Sequence, residues 1–308
     1  MSNADDRLGP PERLVRTLGS EPVDGAARQW LKALPETAQE YLRHWELTLE
    51  RVQAPGGRSS MLLLVRQSDG TPAALKLCPP GTTAALEYAA LERWNGLCAV
   101  RVLRADPEGG ALLLERLHGD ISLRSLPEQK AQLEAAAVLQ RLWVPAGESH
   151  PFPGVTEHTA ALAAALRGHR EQPWAADVRP LVDEALDLRD GLAADTAEPT
   201  LLHGEFDQGT VLAGDRAPWL AVGPRPLVGD RAYDLAWLVR DRADTLLASP
   251  GAAAAARRRV SKLADSLDLP GERVRAWTVF RAVSTGVSAL ATGHPRPAEL
   301  LLEFAGLL

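Results

Sequence analysis

The sequence is short of the features that mark most specialised classes of protein. Two cysteines, Cys78 and Cys98, occur in 308 residues, too few for a disulfide framework and without the paired spacing of a zinc site. A bridge between them is conceivable, but reduced, packed thiols are expected. The opening, MSNADDRLGPPERL, has no basic stretch followed by an apolar run, so no signal peptide is expected. Apolar segments are short or broken by Arg, Asp or Pro, which excludes a membrane-spanning stretch. Neither sign of charge dominates. The 34 Lys and Arg against 40 Asp and Glu leave −6, which carries no nucleic-acid footprint and reads as ordinary solubility. A soluble cytoplasmic protein is expected, with neither nucleic acid nor membrane as partner. Lysine is scarce: Arg outnumbers it 30 to 4, so each Lys that is present carries information.

What is there has an order. Residues 10 to 46 have apolar residues at helical spacing in PPERLVRTLG, AARQWLKAL and AQEYLRHWEL, with Gly19 as a stop. RVQAPGGRSS is turn-rich. MLLLVRQ and AALKLC then flank SDGTP, two apolar runs around an Asp-Gly turn, which predicts a β-hairpin. TTAALEYAALERWNG reads as an amphipathic helix with Thr at its entry and Gly96 at its exit. AVRVLRADPEGGALLLERL reads as two further strands. Beyond residue 118 the pattern is mostly helical, from PEQKAQLEAAAVLQRLW to ERVRAWTVFRAVSTGVSAL, and only residues 200 to 222 interrupt it with short apolar pieces. The order predicts an α+β fold with N-terminal helices and a small β-rich lobe over 1–117, and a larger helical lobe over 118–308 that carries a chemical loop at 203–225.

Several residues in this frame are candidates for chemistry. Lys76 is a charge in an otherwise apolar strand; alone, it reads as an edge residue snorkelling to water. Glu87 and Glu92 lie on the next helix, and a Lys held by a helix Glu is how kinase folds place an ammonium on the phosphates of ATP. Glu115 to Leu117, at the end of ALLLERL, stand where a two-lobed kinase would read the adenine edge through its backbone. APGGRSS at 54–60 is neither a Walker loop nor GxGxxG. In LLHGEFDQGTVLAGDRAPWLAVGPRP, His203 and Gly204 follow an apolar strand and Glu205 offers a carboxylate. Asp230 and Asp234 open a later helix and read as caps.

The motifs LKALPE, DGTPAALKL, EYAALERWNG, ALLLERL, LLHGE, PWLA and PLVGDRAYDLA, taken together and in this order, resemble the aminoglycoside/hydroxyurea phosphotransferase family through nearly the whole chain. The resemblance implies a two-lobed protein-kinase-like fold and ATP-dependent transfer to a hydroxyl of a small molecule, an antibiotic or secondary metabolite. It implies Lys76 on the phosphates, Glu87 as its partner, and His203 and Gly204 in the catalytic loop. The general base then falls at Glu205, the first metal-binding amide at Thr210 and the second metal carboxylate at Gly223, where the family pattern has Asp, Asn and Asp. Arg225 stands where that pattern has Lys. Thr210 retains a hydroxyl that can bind a metal, but glycine has no side chain, and Mg²⁺ binds through one or two carboxylates plus phosphates. Asp207, Asp215 and Asp230 are the acids that could take over. These changes together point to a form with impaired or absent transfer that still binds ATP, with Mg²⁺ disfavoured. A divergent, active kinase with rerouted ligands is the alternative. Few acids line the last helix pattern; Glu299 and Glu303 read as surface residues.

Overall fold

The computed structural model describes residues 8–19, 25–193 and 199–308; most of the opening segment in which no leader was expected lies outside them, as does Ala194 at the end of one expected helix. The described chain separates into two compact units. The first holds residues up to His118 together with Gly214–Pro218, and the second holds Gly119–Ala213 and Trp219–Leu308.

In the first unit, α1 (Glu12–Leu18) precedes α2 (Ala26–His44), which joins the two expected helical stretches into one helix running through Pro35. Trp30, Leu34 and Ala38 recur every four residues and are buried, so one stripe of α2 faces the core. Five strands follow: β1 (Thr48–Val52), β2 (Met61–Arg66), β3 (Pro72–Leu77), β4 (Val102–Asp106) and β5 (Ala111–Glu115), in the spatial order β1-β2-β3-β5-β4. Every neighbour is antiparallel. The β2–β3 hairpin turns at the expected Asp-Gly, where Gly70 has φ 84° and Asp69 accepts the Thr71 N–H at 2.8 Å. β1 is an addition to the sequence reading. It lies at the sheet edge and is only half-buried, so TLERV carries no apolar alternation to announce it.

Side chains alternate across this sheet. Leu63, Val65, Leu75, Leu77 and Leu113 join Trp30 and Leu34 in the core. Lys76, between Leu75 and Leu77, therefore points to the other face, where α3 (Thr82–Trp94) lies. α3 ends at Asn95 in the left-handed region, followed by Gly96 at φ 77°. Cys78 and Cys98 are buried and form no disulfide, and burial pushes the Cys78 thiol up to about 11.

The second unit is built on α10 (Gly271–Ala291), whose Trp277, Phe280, Val283 and Val287 are buried. Around it pack α5 (Val155–Arg170), α6 (Arg179–Ala193), α7 (Arg231–Val239), α9 (Ala252–Ser266) and α11 (Pro295–Gly306). α4 (Glu128–Leu142) and the short α8 (Ala243–Leu247) complete the helices of this unit among the described residues. Two three-stranded sheets frame the loop region: β6 (His118–Ser122) with β9 (Val211–Ala213) and β10 (Leu220–Ala221), and β7 (Val144–Pro145) with β8 (Thr200–Leu202) and β11 (Leu227–Gly229). β6, β7, β11 and α11 were not expected from the sequence. Strands of two to five residues are too short to show a period. The turn between β9 and β10, residues 214–218, belongs to the first unit. Arg216 explains this: its guanidinium donates to Glu115 Oε1 at 2.6 Å and Oε2 at 3.1 Å, and to the carbonyls of Gly96 at 2.7 Å and Ala99 at 3.0 Å. The protein is thus α+β, with a β-sheet lobe followed by a largely helical one, as the sequence predicts.

Candidate active site

In the first unit, Lys76 Nζ lies 2.7 Å from Glu87 Oε1 and 2.5 Å from Oε2. Only 15% of the Lys76 side chain and 3% of the Glu87 side chain is exposed. The solitary snorkelling lysine is thereby overturned, and of the two helix acids Glu87 is the one that meets it. The carboxylate fixes where the ammonium points. Glu115, by contrast, is occupied. Its carboxylate binds Arg216 and accepts the Arg101 N–H at 2.7 Å, and its own N–H donates to Arg101 O at 2.9 Å. Leu117 is half-buried, and among the described residues its backbone has no hydrogen-bond partner.

In the second unit, β8 delivers the chain to His203, which is fully buried. Its N–H donates to Asp234 Oδ2 at 2.9 Å, and the Gly204 N–H donates to Asp234 Oδ1 at 2.8 Å. Trp143 Nε1 donates to the same carboxylate at 3.2 Å. Asp234 is fully buried within α7, so it is not a cap as the sequence suggested; Asp230 is, accepting the Ala232 N–H at 2.9 Å. From the opposite sign, buried Arg281 donates to Gly204 O at 2.7 Å and Tyr233 O at 2.8 Å. Gly204 has φ 83°, and a Cβ there would lie 1.9 Å from Arg225 O, so this turn admits only glycine. The backbone that presents Glu205 is therefore fixed by groups well outside the motif.

Glu205 itself is 41% exposed, and Arg225 Nε lies 3.4 Å from its Oε1. Two residues on, Asp207 caps a short 3₁₀ turn, accepting the N–H groups of Gly209 at 2.6 Å and Thr210 at 3.0 Å. The Thr210 hydroxyl accepts the Asp207 N–H at 3.0 Å and donates to Asp207 O at 2.9 Å. Its proton and one lone pair are thus used inside the turn. Gly223 has φ 64°, and nothing lies within 4 Å of a Cβ built there. Arg124 Nη2 stands 3.6 Å from Asp207 Oδ2 and 2.6 Å from Asp241 Oδ1. Buried Asp241 also accepts the Gln208 N–H at 2.9 Å. Burial pushes the Asp241 carboxyl up and Asp207 adds to this, while Arg124 opposes both.

The remaining acids lie elsewhere. Asp215 is exposed and pairs with His118 at 2.8 Å. Asp230 Oδ2 accepts from Arg273 and from Trp277 Nε1, each at 2.5 Å. Glu299 and Glu303 are exposed on α11. Sequence reasoning missed Asp234, Asp241 and Arg281. A signal for Asp234 existed: AYDLAWLV sets a charge among apolar residues on a helix, where an acid needs a buried donor.

Two outcomes follow from this geometry. Asp234→Asn leaves one carbonyl oxygen to serve the two loop N–H groups and turns an amide N–H toward the other. Chemical denaturation should show a loss of about 2–4 kcal/mol, and an unchanged midpoint would contradict the role of Asp234. His203 is the pH-sensitive element. Burial holds its ring below the ordinary histidine range, so the unfolded chain takes up this proton first. Stability should rise with pH up to about 6.5 and be lost as pH falls below it. His158, also lowered mainly by burial and then by Arg281, adds to the same slope. Melting temperatures between about pH 7 and 5 should change less steeply in His203→Gln than in the native protein; an equal slope refutes the assignment.

Known proteins resemble this chain in sequence and in fold. The family model for aminoglycoside/hydroxyurea antibiotic resistance kinase matches residues 44–293. A streptomycin 6-kinase of Streptomyces glaucescens is 34% identical over 290 residues, covering 91% of this chain and 89% of that protein. A hydroxyurea phosphotransferase of Kitasatospora aureofaciens is 36% identical over 299 residues, covering 91% and 82%. Among solved structures, a thermostable mutant of aminoglycoside phosphotransferase APH(4)-Ia in ternary complex with ADP and hygromycin B gives a TM-score of 0.59 at 18% identity, over 87% of this chain and 96% of that one. Choline kinase LicA from Streptococcus pneumoniae gives 0.61 at 11% identity, over 89% and 99%. At such identities the structural likeness speaks for the fold alone. The sequence matches carry the assignment further: this chain belongs to the aminoglycoside/hydroxyurea antibiotic resistance kinase family.

Proposed function

We propose that this protein is a pseudokinase of its family, one that binds ATP without Mg²⁺ and transfers its phosphoryl group weakly or not at all to a small-molecule hydroxyl. The ligand would be an antibiotic or secondary metabolite. The observation that carries this reading is Gly223, which puts no side chain where the family pattern has a metal carboxylate. Its surroundings agree. The Thr210 hydroxyl is closed into its own turn, and Glu205 faces Arg225. Asp207 has one oxygen on two N–H groups and the other near Arg124. Mg²⁺ needs oxygen ligands in near-octahedral order beside the phosphates, and these residues do not fit it.

Nucleotide binding is supported by the intact Lys76–Glu87 pair. A buried ion pair is seldom more stabilising than apolar packing, so stability alone gives little reason to keep one. Lys76 would hold the phosphates as a cation needing no metal, and the unengaged backbone of Leu117 would hold the adenine edge, with Glu115 confined to shaping that strand end. His203 would keep the loop in place, and Glu205 would remain a carboxylate able to accept a hydroxyl proton once Arg225 turns away. Asp207 favours the second reading, an active kinase with rerouted ligands, because it is the partly exposed loop acid beyond Glu205.

Calorimetry with ATP, in the presence of Mg²⁺ or of EDTA, separates the two. The affinities should differ by less than tenfold, about 1.4 kcal/mol, and a larger gain from the metal supports the rerouted kinase. Lys76→Met with Glu87→Gln, which removes both charges and leaves no orphaned carboxylate, should abolish the metal-free binding. Restoration gives an independent check. Glu205→Asp, Thr210→Asn and Gly223→Asp together should raise ATP turnover, while each alone does little, since residues acting as a unit are non-additive. Nothing crowds a Cβ at Gly223, but its φ of 64° is left-handed, so the new Asp must accept some backbone strain, which Asp tolerates better than most residues. A native protein already turning over at ordinary kinase rates, about 1 per second or more, rules the pseudokinase out.

A further inference from the structure

α7 and α10 bring two guanidinium groups against one indole. Arg240 lies 3.4 Å from the centre of the Trp237 ring, and Arg281 lies 4.3 Å from that centre and 4.0 Å from the centre of Tyr233. Arg281 gives both of its terminal nitrogens a backbone carbonyl, Tyr233 O and Gly204 O. Arg240 does not. Among the described residues its side chain makes one hydrogen bond, to Thr285 Oγ1 at 3.2 Å, and no carboxylate lies within 4 Å of it. A guanidinium has five N–H donors in a planar fork suited to an oxyanion. The other deeply placed guanidinium nearby shows how such a group is usually filled: Arg259 binds Glu128 and the carbonyls of Val239 and Asp241.

The position of Arg240 is informative as well. It shares the Trp237 ring with Arg281, which holds the Gly204 carbonyl, so it lies on the loop side of α7, where Glu205, Asp207 and Asp241 also act on it. Burial, and then Arg281, push the group down to about 9, which leaves it charged at neutral pH. The titratable neighbours are thus three acids and Arg281 around Arg240, with His158 and Arg225 close to Glu205. The facing stretch of α10, from Val283 to Ala291, contributes Ser284, Thr285 and Ser288 and no acid. The nearby acids act on Arg240 from a distance, and none reaches the fork, so its other N–H donors are left for a ligand oxygen.

We propose that Arg240, stacked on Trp237 beside the 203–210 loop, receives an oxyanion of the small molecule that this protein binds, so that the ligand is a hydroxyl compound carrying a carboxylate or phosphate group. The inference rests on the reading of the chain as a small-molecule-binding member of its family, and it assigns the class of molecule. The oxyanion belongs to that molecule and not to the nucleotide.

Inorganic phosphate is the probe, titrated at constant ionic strength against chloride and followed by calorimetry and by tryptophan fluorescence. The native protein should bind it, and Arg240→Met should lose affinity by about tenfold or more while its metal-free ATP affinity stays the same. Lys76→Met with Glu87→Gln should do the reverse, so failure of the nucleotide reading is seen separately from failure of this one. Arg240→Met should melt at or above the native temperature, because an under-partnered cation beside Arg281 is removed. Should that variant fail to fold, Thr285→Val, which removes the hydroxyl that aims the fork, must lower phosphate affinity instead. Unchanged phosphate binding in Arg240→Met overturns the proposal, as does no phosphate binding by the native protein. A parallel fall in ATP affinity assigns the oxyanion to the nucleotide and overturns it too. Streptomycin binding that is stronger than phosphate binding, and is improved by Arg240→Met, is the fourth refuting result.

Discussion

The Asp234 carboxylate is the constraint on which the loop depends. It is fully buried, and it is there because three N–H donors, from His203, Gly204 and Trp143, converge on it. A buried carboxylate without such donors would cost several kcal/mol; with them it fixes two consecutive peptide planes. Arg281 completes the arrangement by taking the Gly204 carbonyl. Acid and base thus hold the donor and acceptor sides of one turn, and Glu205 is presented from a backbone that has little freedom left.

That rigidity makes the altered groups informative. The turn is kept in full, including a glycine that a Cβ would drive into Arg225 O, while the groups it presents lie against neighbours within the same unit. Arg225 faces Glu205, Arg124 stands near Asp207, and Thr210 closes on its own turn. A scaffold held this firmly around groups engaged with one another is what the proposed metal-free binding would require. The first unit tells the same story in its own terms, since Lys76 and Glu87 remain paired on the inner face of α3.

Like charge is also handled unevenly across the second unit. Arg281 has a carbonyl on each terminal nitrogen, and Arg259 has two carbonyls and an acid. Arg240 rests on an aromatic face with one hydroxyl for company. Stacking on indole, together with the acids Glu205, Asp207 and Asp241 nearby, offsets part of the loss of water around this guanidinium.

The sequence by itself determined the local features. The Asp-Gly hairpin, the helix ending at Asn95 and Gly96, the long apolar α10 and the order of a β-rich region before a helical one all follow from periodicity and turn chemistry over a few neighbouring residues. Lys76 stood out because an apolar strand rejects a lone charge. Tertiary structure decided everything that depends on partners far apart in the chain. It chose Glu87 over Glu92, because the helix turns one of them toward β3. It drew residues 214–218 into the first unit through Arg216. It made Asp234 an anchor where local pattern suggested a cap, because its donors come from positions 143, 203 and 204. β1, β6, β7 and β11 stayed hidden for a related reason: strands so short or so exposed take their identity from the neighbour they pair with, and that neighbour is not written beside them.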